Sequence, residues 1–185
     1  MVIMIIGLIL FLGIHLVPVA PGLRGSMVTA LGYDKYRVAF AAVAALGLLL
    51  VIAGYWMRPE DVQLFAPFPQ ARAVASVLVP IAFVLFAAAN MKAHIRKLVQ
   101  HPMLIGLLLW SGVHLLANGD LAGTVLFGSF LAYSVIDLAS AFHRHAVKPF
   151  EPRWSHDVIA IVAGIVLAVI TVLIHPWLFG TGPVA

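Results

Sequence analysis

Six nearly unbroken apolar runs, Val2–Val17, Val38–Met57, Ala73–Met91, Pro102–Asn118, Leu121–Phe142 and Asp157–His175, constrain this chain more than any other feature. A helix that crosses a bilayer needs about 20 mostly apolar residues, and each run comes close to that length. Only 10% of the 185 residues are charged, against about 25% in an ordinary soluble domain. A small globule cannot hide that much apolar surface from water. The chain therefore reads as an all-α, polytopic transmembrane bundle of about six helices, one integral membrane domain over residues 1–185. The lipid bilayer is its principal partner. Gly119-Asp120 alone separates the fourth and fifth runs, which predicts a tight helical hairpin. The fourth run is short for a full span.

The basic residues alternate between the two ends of these runs. Arg24, Lys35, Arg37, Lys92, Arg96, Lys97, Arg144, Lys148 and Arg153 lie on one side, and only Arg58 and Arg72, near Glu60 and Asp61, on the other. Cytoplasmic loops collect Lys and Arg, so this split places the N-terminus outside. It accounts for the net charge of +4 without nucleic acid. The first run carries no basic residue ahead of it and no small-residue cleavage pattern, so it reads as a retained helix. With no cysteine, disulfides, thiolate metal sites and cysteine nucleophiles are excluded.

Local punctuation agrees with the division. Pro102 suits a first helical turn, Pro80 interrupts the third run, and Ser155 suits the cap of the last helix with Asp157 near its positive end. Ala160, Gly164 and Ala168 set a small face on that helix for close packing. The loop 58–71, with Pro59, Phe65, Pro67, Phe68 and Pro69, reads as lying along the outer interface, where Trp56 would anchor.

Ionisable groups in hydrocarbon are costly and tend to mark function. His15, His114 and Asp137 stand out, with Asn90 and Asn118 milder. His15 sits near the end of its run, where it can reach the headgroups. His114 lies deep in the fourth run and suits either a bond to another helix or ligation of a metal or haem. Trp110, His114 and Asn118 recur every four residues and share a face, with Ser111 on its edge. That set suits an enclosed planar ligand, and it suits helix packing. His101 falls on another face and reads as an interfacial residue before Pro102. His94, His143, His145, His156 and His175 fall in loops or at helix ends. Asp137 is placed to accept from Tyr133, four residues back, or to pair with a nearby Arg.

The stretch His101-Pro102-Met103-Leu104-Ile105-Gly106-Leu107-Leu108-Leu109-Trp110-Ser111-Gly112-Val113-His114-Leu115-Leu116-Ala117-Asn118-Gly119-Asp120 resembles the signature of the NnrU family. Gly13-Ile14-His15-Leu16 and Leu31-Gly32-Tyr33-Asp34-Lys35-Tyr36-Arg37 are similar to it as well. The bacterial members are linked to denitrification and nitric oxide metabolism, and the family includes the zeta-carotene isomerases, which hold b-type haem in the membrane. The resemblance implies a multi-pass protein of the bacterial inner membrane, haem b as cofactor, and His15 and His114 as its metal ligands. Trp110, Ser111 and Asn118 would lie at the cofactor. It also implies either nitrogen-oxide chemistry, with nitric oxide as a partner, or isomerisation of a lipophilic polyene. Ser111 stands where the isomerases have a cysteine. A hydroxyl is a poor iron ligand, so an exchange of thiolate for imidazole is not available here; haem binding itself needs only imidazoles.

Two other functions fit parts of the pattern. The His101–Asp120 hairpin is similar to that of membrane methyltransferases that use S-adenosylmethionine, although their Arg-His-Pro, Asn-Pro and later acidic pair are incomplete here. A non-enzymatic assembly factor would use its histidines only to bond neighbouring helices.

Overall fold

The computed structural model describes residues 1–58, 62–144 and 149–179. Pro59, Glu60, Asp61, His145 and Lys148, which entered the sequence argument, lie outside the described residues. The helices are α1 (Val2–Leu16), α2 (Pro21–Leu31), α3 (Tyr33–Trp56), α4 (Ala71–Ala88), α5 (His94–Val99), α6 (Pro102–Asn118), α7 (Leu121–His143) and α8 (Trp154–Phe179). A 3₁₀ turn, Val17–Val19, follows α1. Among the described residues, five helices are long and apolar enough to cross a membrane, and α6 is a shorter apolar helix. This is an all-helical, multi-pass membrane protein.

Each of the six expected runs corresponds to one helix, five of them long and α6 shorter, and the differences lie at the ends. Tyr33–Arg37, read as loop, forms the start of α3, because Gly32 takes a φ of +78° that turns the chain straight from α2 into α3. The last helix starts at Trp154 rather than at a cap on Ser155. Two short helices, α2 and α5, occupy what hydropathy alone reads as loops, because neither is long enough to register as a span.

The contacts divide the chain into two compact units, Met1–Val62 and Gln63–Ala185. In the first unit α1 and α3 pack backbone against backbone. A Cβ at Gly7 would stand 2.5 Å from the Val51 nitrogen, one at Gly47 2.6 Å from the Phe11 nitrogen, and one at Gly54 would collide with Met4. Gly47, Val51 and Gly54 recur at helical spacing, so they form one face, against which Met4 and Leu8 are buried. Such close approach lets dispersion replace the hydrophobic drive that is lacking in lipid. We expect Gly47→Val to destabilise this pair by about 1–3 kcal/mol, the usual cost of overpacking; thermal unfolding of the detergent-solubilised protein would show it.

In the second unit α4 packs against both α6 and α8, and α6 pairs with α7. The small face read on α8 is its packing face: Ala160 and Ala168 are buried, and a Cβ at Gly164 would meet the backbone of Val84. Pro80 lies inside α4. Most of the remaining surface of α8, including Val158, Ile161, Ile165 and Val169, is exposed and apolar, as a lipid-facing surface must be.

Candidate functional site

His114 lies three-quarters of the way along α6, half-buried among aromatic rings. Its ring centroid is 5.0 Å from that of Trp110 and 4.9 Å from that of Phe127. Trp110 in turn meets Phe127 at 5.2 Å and Phe130 at 5.7 Å, both edge-on. The Nδ1–H of His114 donates to the Trp110 carbonyl at 2.8 Å. A carbonyl can only accept, so this bond fixes the proton on Nδ1 and puts the lone pair on Nε2. A histidine that ligates a metal is commonly oriented by such a bond. The shared face expected for Trp110, His114 and Asn118 is present, and Asn118 Nδ2 donates to the His114 carbonyl at 2.6 Å. Ser111 is fully buried and donates to the Leu107 carbonyl at 2.7 Å.

The turn beyond this face is built tightly. Gly119 ends α6 in the left-handed conformation, φ +74°, where a side chain would be strained; a Cβ there would also collide with Phe65. Asp120 caps α7 by accepting from the Gly123 N–H at 2.6 Å. A strap formed by Gln63–Phe68 crosses the turn: the N–H groups of Leu64 and Phe65 donate to the Gly119 carbonyl, and that of Phe68 to the Leu116 carbonyl. Helix-end carbonyls need partners, and the strap supplies them. Beside it an open apolar groove of about 390 Å³ is lined by Phe68, Val74, Leu78, Leu109 and Leu116. Trp110, His114 and Asn118 are not among its lining residues.

In the other unit His15 repeats the arrangement. Its Nδ1–H donates to the Phe11 carbonyl, four residues back, at 2.6 Å. Its ring lies 4.4 Å from Phe11 and 5.1 Å, edge-on, from Phe40. Both candidate ligands thus carry the Nδ1 proton on a backbone carbonyl within an aromatic cage.

A family model described as NnrU protein matches residues 3–183, essentially the whole chain. The chain belongs to the NnrU family. No curated protein and no solved structure matches it.

The remaining polar groups of this NnrU-family chain are accounted for largely as expected. Tyr133 donates to Asp137 at 2.9 Å, and Arg144 pairs with the same carboxylate at 3.5 Å. His101 precedes α6, edge-on to Phe142 at 4.9 Å. Burial holds its imidazole below the ordinary value, with Asp137 opposing and Arg144 adding to the shift. A folded-state value below the unfolded one means that the unfolded chain takes up the proton first. Stability therefore falls as the pH drops through the unfolded value, about 6.5. We expect His101→Gln to lose less thermal stability than the parent between pH 7.5 and pH 5.

What the sequence did not reveal is a junction at the other end of α4. The Asp157 carboxylate accepts from the N–H groups of His94 and Ile95 at 3.0 and 2.9 Å, and His94 Nδ1 lies 2.7 Å from it. Asp157 sits in the first turn of α8 and caps the neighbouring α5. His94 also stacks on Trp154, with centroids 4.0 Å apart, and the Lys92 N–H donates to His156 Nδ1 at 3.0 Å. The aromatic wall from α7 was equally hidden, since counting symmetrically about Gly119 brings Thr124, not Phe127, to the level of His114.

Proposed function

We propose that this NnrU-family protein holds a b-type haem in the membrane, with His114 and His15 as imidazole ligands and Trp110, Ser111 and Asn118 beside the cofactor. The observation that carries this reading is the repeated orientation of both histidines, each with Nδ1–H on the carbonyl four residues back and a lone pair on Nε2. Neutral imidazole oriented this way is a ready iron donor. Trp110, Phe127 and Phe130 supply apolar planes suited to a macrocycle.

When bound, the haem supplies a redox-active, ligand-binding iron. The chain's own part is to hold the imidazole proton on a backbone acceptor and to keep water from the site with aromatic rings. Buried Ser111 contributes a hydroxyl already spent on its own helix, so it offers no competing anionic ligand. The reading places the protein in nitrogen-oxide metabolism at a bacterial inner membrane, or in isomerisation of a lipophilic polyene. Asn118 and Asp120 are committed to the backbone of the hairpin, which gives S-adenosylmethionine transfer no added support.

The test is an optical spectrum of the detergent-extracted protein, oxidised and reduced. A Soret band with reduced α and β bands is expected. Protein that carries no haem and takes none up on reconstitution would overturn the proposal and favour a non-enzymatic assembly role.

A further inference from the structure

We propose that the first unit carries a site for a phosphate-bearing anion, anchored by Arg24 on α2 and Tyr36 on α3. Tyr36 is only 5% exposed, and its hydroxyl is buried with no hydrogen-bond partner among the described residues. A buried phenol normally finds an acceptor, so this one has a donor to give. The guanidinium of Arg24 lies over the Tyr36 ring, 5.9 Å from its centroid. Arg24 is exposed, and no carboxylate pairs with it among the described residues.

Two further features give the place its sign. The N-terminus of α3, three residues from Tyr36, has no side-chain cap, and the positive end of a 24-residue helix favours an anion. Lys35 and Arg37 stand exposed in the same turn, opposed by Asp34 alone. The surroundings also suit a membrane boundary: α2 buries none of its residues and exposes Leu23 and Leu31, between two helices that are each long and apolar enough to span.

Phosphate fits this set better than a carboxylate. Its several oxygens can take a forked pair of bonds from Arg24 and still accept from a phenol. The same chemistry comes from an anionic phospholipid headgroup, for which basic pockets at helix ends are suited, or from free phosphate.

Thermal unfolding of the delipidated full-length protein separates the outcomes. It would be measured with phosphatidylglycerol, with phosphatidylcholine and with inorganic phosphate, for the parent, Arg24→Gln and Tyr36→Phe. Phosphatidylglycerol should raise the midpoint of the parent by several degrees and phosphatidylcholine should not; both variants should lose that rise. Without anion, Tyr36→Phe should be as stable as the parent, since its hydroxyl has no partner to lose. A rise with inorganic phosphate alone would support the site and identify the soluble ion as its source. No rise with either anion, a rise that persists in either variant, or a Tyr36→Phe protein already less stable without anion would overturn the proposal.

Discussion

Replacing His114 by alanine should abolish the Soret absorbance of the purified protein while leaving its helical content intact. Among the described residues, the imidazole makes one hydrogen bond, to the carbonyl of its own preceding turn. Its removal leaves no acceptor from another helix unmet. The cost to the fold is packing against Trp110 and Phe127, roughly 1–3 kcal/mol by analogy with other large-to-small changes. A haem held by His114 would lose that imidazole donor, and neither polar neighbour would replace it: Ser111 is bonded to Leu107, and the amide nitrogen of Asn118 is held by the His114 carbonyl. Free imidazole added to the variant should restore part of the absorbance by occupying the vacated space. Unchanged haem content in His114→Ala, with the fold preserved, would remove this residue as a ligand; the same experiment on His15→Ala judges that position independently.

Asp157→Ala should be among the most destabilising single changes in the second unit, at about 3 kcal/mol. One carboxylate accepts from two backbone amides and faces the His94 ring. Hydrogen bonds to a charged acceptor contribute about 1.5–3 kcal/mol each, and the loss of a helix cap costs typically about 1 kcal/mol; these contributions overlap and do not add. Asp157→Asn should cost less, since the amide oxygen can still accept from one of the two N–H groups. Denaturant unfolding would rank the two variants. Hydrogen exchange at His94 and Ile95 should quicken in both. Equal stability of Asp157→Ala and the parent would mean that this junction does not hold α5.

The long helices were legible in the sequence because a bilayer imposes a length and a polarity that few other structures share. The histidines and Asp137 were legible for the same reason: ionisable groups are conspicuous in hydrocarbon, and Tyr133 could be matched to Asp137 from a spacing of four. The short helices were not. The cap of α5 comes from a residue 62 or 63 positions away, and nothing local announces it. Asp157 does lie in the first turn of the last helix, as read, but its second role escaped for a related reason. An acidic residue in a first turn looks the same whether its carboxylate serves its own helix or the next. Phe127 and Phe130 gave no signal because aromatic side chains are ordinary in apolar helices, and only the pairing of α6 with α7 makes them the wall of a site.

The junction made by Asp157 and His156 also sets an order of assembly. Both residues belong to α8, yet the amides they receive, at Lys92, His94 and Ile95, emerge from the ribosome some sixty residues sooner. Until α8 arrives, those donors have only water or a chaperone to satisfy them. A nascent protein halted before Trp154 should therefore hold its α4–α5 connection open to protease, and synthesis of α8 should close it.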